Sequence, residues 1–355
     1  MLPILAGIEG IELTPEEREL FTRLQPAGYI LFSRNIVDYE LTRELTDELR
    51  RLTRGPWLPI IAIDQEGGRV VRTGDIGVRL PSAAALATTR SGHIITQAAL
   101  YTARCLDTLG VNVNFAPVLD LASPHANALP SRCWGTEPDE VISYAGMWNR
   151  ALYRHGIMTC GKHFPGMGDA VCDPHFDLPV LAGKRDDFLN RAAIPFTALM
   201  PELPSMMMAH LMIPGMDRER PTSLSHRVVQ SFLRDQLGYE GVVFTDDLCM
   251  GAIAATYSPE QAVPLALEAG CDLPLICHGA VNHLEAVAEA VLRMPDQLLQ
   301  DAALRIEHFR MQLVTHPPMS FLEWNDYLKA VEEFTASVPS PEGELPPPAS
   351  PVQQY

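Results

Sequence analysis

The sequence is poor in basic charge and lacks long apolar runs. Lys and Arg together number 27 against 44 for Asp and Glu, which gives a formal net charge of −17. Because nucleic-acid binding is driven by clustered Lys and Arg, this balance argues against a phosphate backbone as a partner. No window approaches the ~20 consecutive apolar residues that a membrane-spanning helix needs. We therefore expect neither nucleic-acid binding nor a membrane span.

Export signals and disulfide patterns are missing as well. The first ten residues lack a basic region, and Glu9 and Glu12 interrupt the apolar stretch, so we expect no signal peptide. The seven cysteines show no paired spacing, and Cys160, Cys271 and Cys277 lie in or beside apolar runs, where a reduced thiol behaves as a small hydrophobe. An odd number of cysteines without an export signal indicates a reducing, cytoplasmic location.

What the sequence does contain is a regular alternation of short apolar runs and helical patterns. The runs are nearly continuous in apolar residues, as parallel strands buried on both faces are. We predict strands at 29–32, 60–63, 111–116, 157–160, 206–209, 242–244 and 273–277. An eighth strand is expected either in the weak segment 116–121 or after Gly279. This alternation over 355 residues favours a (β/α)₈ barrel, which needs ~250 residues before insertions.

Capping signals mark two of the helices. Thr14 and Ser258 each begin a capping box followed by proline at the first helical position, and Gly270 is placed to end the second helix. No Gly-x-Gly-x-x-Gly follows the first predicted strand, which weakens the alternative of a doubly wound dinucleotide-binding sheet. We expect one barrel domain over 1–337 and an extended or disordered proline-rich tail over 338–355.

Polar residues suited to catalysis come directly after four of the predicted strands. They are Asp64, the pair Lys162 and His163, His210, and the pair Asp246 and Asp247. In a barrel the carboxyl ends of the strands converge on one rim, where active sites of this fold lie. The sequence therefore predicts a shared site at that rim.

Three segments resemble motifs of glycoside hydrolase family 3. They are residues 63–70 (Ile-Asp-Gln-Glu-Gly-Gly-Arg-Val), residues 162–166 (Lys-His-Phe-Pro-Gly) through Asp173, Pro174 and His175, and residues 244–250 (Phe-Thr-Asp-Asp-Leu-Cys-Met). The likeness runs from about Gly7 to Leu275 and is closest to the family's single-domain bacterial β-N-acetylglucosaminidases of peptidoglycan recycling. It implies a cytoplasmic, exo-acting hydrolase without a cofactor. The implied substrate is N-acetylglucosamine β-1,4-linked to an anhydro-muramic acid, with or without its peptide.

The resemblance also implies roles for individual residues. Asp246 matches the nucleophile that forms a covalent glycosyl-enzyme, while Asp247 is better suited to capping the following turn. His175 matches a histidine that acts as acid and base, and Asp173 matches the aspartate that orients it. The residues that match sugar-binding positions are Asp64, Arg72, Arg132, Lys162 and His163, with His210 beside them. For His210 a buried structural role is a competing interpretation.

Two departures from the family pattern keep other functions open. The family usually has a histidine at the position of Met167 and a serine at that of Pro174, and proline biases Asp173 toward extended geometry. The loop is therefore expected to be stiffer, and a sugar-binding protein without turnover is an alternative. Transfer to phosphate instead of water is another alternative, because a neutral histidine repels an incoming anion less than a carboxylate would. A metal-dependent hydrolase is disfavoured, because no His-x-His or His-Glu-x-x-His spacing is present and Lys162 would place a positive charge beside the ion.

Overall fold

The computed structural model describes residues 1–123, 129–168, 170, 173–181 and 185–339. Within these residues eight parallel strands form a closed barrel, each strand pairing with its neighbours in chain order. The strands are β1 Leu2–Gly7, β2 Pro26–Leu31, β3 Ile60–Ile63, β4 Val113–Asn114, β5 Met158–Phe164, β6 Ser205–Met208, β7 Val242–Asp247 and β8 Leu273–Ile276. The ring closes where Leu5 of β1 pairs with Leu275 of β8. The predicted (β/α)₈ fold is confirmed.

The eighth strand is β1, so its predicted placement at 116–121 or after Gly279 is wrong. All six residues of β1 are buried. Pro3 explains why the strand is missed, because proline donates no N–H to a ladder and the pairing with β2 is irregular between Leu2 and Leu5. The segment 116–121 instead runs beside β5, where the N–H of Leu119 donates to the carbonyl oxygen of Lys162 at 2.6 Å.

Two strands extend further at their carboxyl ends than predicted, and β4 is much shorter than its predicted run. β5 includes Lys162 and His163, and β7 includes Asp246, whereas β4 covers two residues of the predicted run 111–116. Parallel pairing continues to the strand ends, with Phe164 opposite Met208 in the β5–β6 ladder. The backbone of the strands, rather than that of the loops, therefore positions these three polar side chains.

Helices surround the barrel. They are α1 Pro15–Leu24, α2 Tyr39–Leu52, α3 Ala83–Thr88, α4 Gly92–Leu109, α5 Pro138–His155, α6 Arg185–Leu189, α7 Ile194–Leu199, a π-helix Arg227–Gln236, α8 Gly251–Ala254, α9 Pro259–Ala269, α10 Ala280–Val291, α11 Asp296–Arg310 and α12 Phe321–Ser337. The predicted capping box of α1 is present, since Glu17 N–H donates to Thr14 Oγ1 at 3.1 Å and Thr14 N–H donates to Glu17 Oε2 at 2.7 Å. None of the described helices is both long and apolar enough to cross a bilayer.

The two ends of the barrel are different. Ile306 and Phe309 of α11 pack into the barrel interior together with Phe115 and Phe244. The ring centroids of Phe244 and Phe309 are 6.3 Å apart. Apolar side chains thus fill the barrel interior at the end where the strands begin.

Helix α12 supports one wall of the barrel at the end where the strands finish. Trp324 stacks on Tyr39 of α2 with ring centroids 4.7 Å apart. Thr335 Oγ1 donates a hydrogen bond to the carbonyl oxygen of Arg79 at 3.0 Å. Because Arg79 belongs to the loop that carries Arg72, the helix holds that loop against the barrel. The predicted tail 338–355 lies, from residue 340 onward, outside the described residues.

Candidate active site

A narrow cavity opens at the carboxyl ends of the strands. Its lining contains eight of the nine side chains predicted for the site, namely Asp64, Arg72, Arg132, Lys162, His163, Asp173, His175 and Asp246. Glu66, Val70, Met167, Pro174 and Met250 complete the lining. The ninth predicted residue, His210, does not line the cavity. The barrel thus brings together residues that are far apart in the sequence.

Lys162 is buried between two carboxylates at the end of β5. Its Nζ lies 2.6 Å from Asp64 Oδ1 and 2.6 Å from Glu66 Oε1. Burial works to lower the pKa of the Lys162 ammonium, but the negative charges of Asp64 and Glu66 outweigh burial and raise it. The ammonium is therefore charged and fixed in direction, as a donor to a ligand hydroxyl requires.

Glu66 is a site residue that the sequence interpretation missed. Its carboxylate accepts two hydrogen bonds from the Arg132 guanidinium, from Nε at 2.8 Å and from Nη2 at 2.9 Å, in addition to the contact with Lys162. Burial works to raise the pKa of Glu66, yet Arg132 and Lys162 hold it well below its ordinary value. The available signal was its position two residues after Asp64, because such residues share a face of an extended chain.

The loop after β3 folds back to bring Arg72 to the cavity. Gly67 and Gly68 turn the chain with φ of 95° and 60°, a conformation that costs glycine little. Gln65 then holds the returning segment, since its Oε1 accepts the Arg72 N–H at 2.9 Å. The Arg72 guanidinium carbon lies 5.4 Å from the centroid of the Phe32 ring, within cation–π range. The guanidinium is thereby fixed at the cavity wall.

His163 is held by a buried aspartate that follows β4. Asp120 Oδ2 accepts hydrogen bonds from His163 Nδ1 at 2.7 Å and from its backbone N–H at 3.1 Å. Asp120 Oδ1 accepts the N–H of Met167 at 2.7 Å. The Nε2 of His163 lies 3.5 Å from Arg132 Nη2. Asp120 lies in a segment with family likeness, but its partner is 43 residues further along the chain, so no role follows from the sequence.

Asp246 lies near the end of β7 and is partly buried. Burial works to raise the pKa of its carboxyl group, but the imidazoles of His163, His210 and His175, together with the N–H of Asp247, outweigh burial and lower it. The group is therefore a carboxylate at neutral pH, which is the form that a nucleophile needs.

The neighbouring Asp247 has a structural position. Its Oδ1 accepts the N–H of Cys249 at 3.0 Å and the N–H of Cys277 at 3.1 Å. These bonds fix the turn after β7 and tie it to the segment after β8. The prediction that Asp247 caps the turn after the strand agrees with these bonds.

His175 and Asp173 form a hydrogen-bonded pair in the loop after β5. His175 Nδ1 lies 2.7 Å from Asp173 Oδ1, which also accepts the backbone N–H of His175 at 3.0 Å. Both side chains are 14% exposed. A carboxylate accepts hydrogen bonds, so Nδ1 carries a hydrogen and Nε2 is left for proton exchange with a ligand.

The loop that carries this pair is docked on the start of α8. The N–H groups of Gly251 and Ala252 donate to the carbonyl oxygens of His175 and Pro174, each at 3.1 Å. Gly251 leaves little room, since a Cβ at this position would lie 2.7 Å from the carbonyl oxygen of His175. Docking therefore holds the pair at the cavity, with Pro174 in the position where the family usually has serine.

His210 lies behind Asp246 and is buried. Its Nε2 is 3.0 Å from the carbonyl oxygen of Asp247, and its Nδ1 is 2.7 Å from Ser223 Oγ. Because a carbonyl oxygen only accepts, Nε2 carries the hydrogen and Nδ1 accepts from the hydroxyl group. Burial lowers the pKa of His210. These contacts match the structural interpretation of His210 and leave it outside the cavity lining.

Met167 lines the cavity where the family usually has histidine. It belongs to an apolar cluster that includes Val118, Leu129, Ala209 and Leu211. The side chain therefore supplies an apolar wall, and the Asp173–His175 hydrogen bond forms with methionine in this place.

Two other features of the described residues bear on the choice of site. These residues include no group of three or more His, Cys, Asp or Glu side chains placed to hold a metal ion. A wider cleft of about 1000 Å³ lies at the opposite end of the barrel. Its Arg234 and Arg305 side chains are paired with Asp272. None of the predicted site residues lines this cleft, so the narrow cavity is the candidate active site.

Comparison with known proteins agrees with this geometry. The model of the glycosyl hydrolase family 3 N-terminal domain matches residues 5–309. A β-hexosaminidase from Alkalilimnicola ehrlichii is 36% identical over 352 residues, which are 97% of this chain and 98% of that protein. A fungal multi-domain family 3 β-N-acetylglucosaminidase superposes with a TM-score of 0.90 at 27% identity and 98% coverage of this chain, although the match spans 44% of the fungal chain.

A second solved structure matches over nearly its whole length. The structure of NagZ from Neisseria gonorrhoeae, in complex with N-trifluoroacetyl-D-glucosamine, superposes with a TM-score of 0.79 at 29% identity. The match covers 95% of this chain and 98% of that one. The chain therefore belongs to glycosyl hydrolase family 3 and is a glycoside hydrolase of the β-hexosaminidase group.

Proposed function

We propose that this chain is a retaining exo-β-N-acetylglucosaminidase of peptidoglycan recycling. Its substrate is N-acetylglucosamine β-1,4-linked to an anhydro-muramic acid, with or without the attached peptide. The observation that carries the proposal is the meeting of Asp246 and the Asp173–His175 pair in one cavity. A carboxylate and an oriented imidazole are the groups that a double displacement at an anomeric carbon requires. The name of the fungal relative, a β-N-acetylglucosaminidase, supports the choice of sugar.

In the first step Asp246 attacks the anomeric carbon of the N-acetylglucosamine. The bond between this carbon and the glycosidic oxygen breaks, and an ester bond to the Asp246 carboxylate forms. His175 gives the proton on Nε2 to the departing oxygen, and Asp173 stabilises the ring through the hydrogen bond at Nδ1. The barrier of one difficult displacement is thereby divided between two easier ones.

In the second step water attacks the same carbon from the side that the leaving group vacated. His175 takes a proton from the water through Nε2, the ester bond to Asp246 breaks, and the carboxylate is regenerated. Two inversions give net retention, so the first product is the β-anomer of N-acetylglucosamine.

The charged side chains of the cavity would hold the hydroxyl groups of the sugar. Asp64, Lys162 and Arg132 already form one connected network through Glu66. Hydrogen bonds to charged partners are stronger than neutral ones, and a site built around them rejects rings that lack the matching hydroxyl group.

A cytoplasmic location is part of the proposal. The six cysteines among the described residues are free thiols. Burial raises the pKa of Cys105 and of Cys160 to about 12, so these two thiols are unreactive at neutral pH. Free, buried thiols suit a reducing compartment, where the proposed substrate would be degraded.

The experiment that tests the proposal supplies the disaccharide itself. The chain is incubated with N-acetylglucosaminyl-anhydro-muramic acid, with and without its peptide, with and without EDTA, and with and without phosphate. The expected product is free N-acetylglucosamine, seen first as the β-anomer by proton NMR. Formation of the sugar 1-phosphate would assign phosphate as the acceptor. Binding without turnover would support a sugar-binding protein, and complete inhibition by EDTA would support a metal-dependent hydrolase.

A further inference from the structure

Asp120 is a buried carboxylate that the proposed mechanism does not use. Its side chain is fully buried, and it accepts three hydrogen bonds. Two of them reach Oδ2 from His163, and the third reaches Oδ1 from the N–H of Met167. A carboxylate with three N–H donors is well compensated for its burial.

These contacts determine which nitrogen of His163 carries a hydrogen. An ionised carboxylate only accepts, so Nδ1 at 2.7 Å from Asp120 must be the donor. The second nitrogen, Nε2, is directed to Arg132 Nη2 at 3.5 Å and belongs to a ring that lines the cavity. Guanidinium nitrogens only donate, so an unprotonated Nε2 is the form that suits this neighbour. At 3.5 Å the contact is at the outer limit of a hydrogen bond, so a sugar hydroxyl can take its place at the single lone pair of Nε2.

We propose that Asp120 is a positioning residue that fixes this tautomer of His163 and presents Nε2 as a hydrogen-bond acceptor to the sugar. Lys162, Arg132 and Arg72 supply the cavity with cationic donors. A sugar hydroxyl that accepts from one of them still has its own hydrogen to place, and Nε2 offers it an acceptor. The inference deepens the proposed function and rests on the assignment of His163 to sugar binding.

The same carboxylate also has a contact that a purely structural role would use. Asp120 Oδ1 holds the N–H of Met167, in the segment that leads toward Asp173 and His175. If Asp120 acted mainly through Met167, its loss would change the loop and leave the tautomer of His163 as it is. The two roles therefore differ in what happens to the imidazole.

The first test is the protonation pattern of His163 in the wild-type chain. Nitrogen-15 NMR of histidine-labelled protein distinguishes a protonated from a bare ring nitrogen, and the signals of His163 are assigned by their absence in His163→Gln. We expect Nδ1 to carry the hydrogen and Nε2 to be bare. A hydrogen on Nε2 with a bare Nδ1, or hydrogens on both nitrogens, would overturn the proposal. This measurement needs neither turnover nor the folding of an Asp120 variant.

The second test is Asp120→Asn. An amide has one oxygen, so it cannot accept from both His163 and Met167. An amide is also uncharged, so even with its oxygen toward His163 it holds the hydrogen on Nδ1 less strongly than the carboxylate does, and the tautomer with the hydrogen on Nε2 becomes populated. We expect the His163 signals to move toward a mixture of the two tautomers and kcat/KM for an aryl β-N-acetylglucosaminide to fall roughly tenfold to 100-fold. Unchanged His163 signals in a folded variant would contradict the inference.

A double-mutant cycle separates action through His163 from independent effects. If Asp120 acts through His163, the double variant Asp120→Asn, His163→Gln is no slower than His163→Gln alone. Full additivity of the two losses would overturn the proposal. A wild-type chain without turnover would count against the proposed function only, because the NMR result stands without it.

Asp272→Asn is the matched control. Asp272 is fully buried at the opposite end of the barrel and accepts from Arg234 Nη2, Arg305 Nε and the N–H of Val243. Its substitution is expected to lower the melting temperature while the His163 signals and kcat/KM stay as in wild type. A change of the His163 signals in this variant would show that they respond to general destabilisation. The signals of Asp120→Asn would then no longer support the proposal.

Discussion

The proposed role of His175 depends on one hydrogen bond, which its Nδ1 donates to Asp173 Oδ1. If His175 protonates the departing oxygen, His175→Ala should slow the hydrolysis of the natural disaccharide far more than that of a nitrophenyl glycoside, because nitrophenolate leaves with little protonation. General acid catalysis contributes roughly 100-fold or more, which sets the expected loss for the disaccharide. The measurement is kcat/KM for both substrates, with His93→Ala on the exposed surface of α4 as the control. Equal slowing of the two substrates would contradict the acid assignment.

Glu66 is expected to matter for both stability and binding. Glu66→Gln leaves Arg132 and Lys162 buried with less negative charge, and such a loss costs about 3 kcal/mol of unfolding free energy. Urea unfolding measures this loss, and KM for the aryl glycoside should rise as well. The control is Glu202→Gln, which removes a half-exposed pair with Arg150 and should cost less than about 1 kcal/mol. Equal losses of unfolding free energy in the two variants would show that the buried network stabilises the fold no more than the half-exposed ion pair does.

The stability difference between wild type and Glu66→Gln should also depend on pH. The pKa of Glu66 is lowered from its ordinary 4.5 in the folded chain. Its contribution is therefore complete above about pH 4.5 and is lost as the pH falls toward the folded-state pKa. Urea unfolding at about pH 7 and about pH 3.5 measures the change. The advantage of wild type should shrink at the lower pH, and a constant advantage would count against an ionic origin.

The site residues divide into those that local sequence predicts and those that it does not. Asp64, Lys162 and Asp246 each come at the end of an apolar run, so their position at the rim follows from the strand pattern. Glu66 comes two residues after Asp64, and Asp120 follows a weaker apolar run, but their roles depend on Arg132 and His163, which are 66 and 43 residues away along the chain. Only the folded barrel makes those contacts.

At the scale of elements, the docking of the His175 loop on α8 makes a steric prediction. A Cβ on Gly251 would lie 2.7 Å from the carbonyl oxygens of both His175 and Phe176. Gly251→Ala should therefore displace the loop that carries His175 from the start of α8. We expect kcat for the disaccharide to fall roughly tenfold or more, with a smaller loss for the nitrophenyl glycoside. The control is Gly10→Ala, where an added Cβ meets its nearest atom at 3.8 Å. Activity equal to wild type in Gly251→Ala would contradict the importance of docking.

The elements themselves were largely predictable, and the failures have physical causes. Seven apolar runs correspond to strands because parallel strands are buried on both faces. β1 does not follow from the apolar pattern, because Pro3 interrupts its pairing with β2. β5 and β7 continue beyond their predicted ends, because neighbouring strands still pair with their polar residues. Asp247, for example, pairs with Leu275.

At the scale of the whole molecule, the closed barrel is what converts scattered motifs into one site. Parallel strands all finish at the same rim. Side chains at or just after the ends of β3, β5 and β7 therefore meet there, although they are far apart in the sequence. The overall charge of −17 does not describe the site, where Arg72, Arg132 and Lys162 line the cavity together with four carboxylates. Composition argues against a phosphate backbone as partner, but the pairing of cations with carboxylates at the cavity becomes visible only in the fold.

The most direct test of the central claim compares wild type with Asp246→Ala on a nitrophenyl β-N-acetylglucosaminide in EDTA. We expect wild type to release nitrophenol and Asp246→Ala, with an unchanged melting temperature, to lose at least about 10³-fold in kcat, because the group that forms the covalent bond is gone. Turnover by Asp246→Ala at the wild-type rate would contradict a covalent intermediate on this residue.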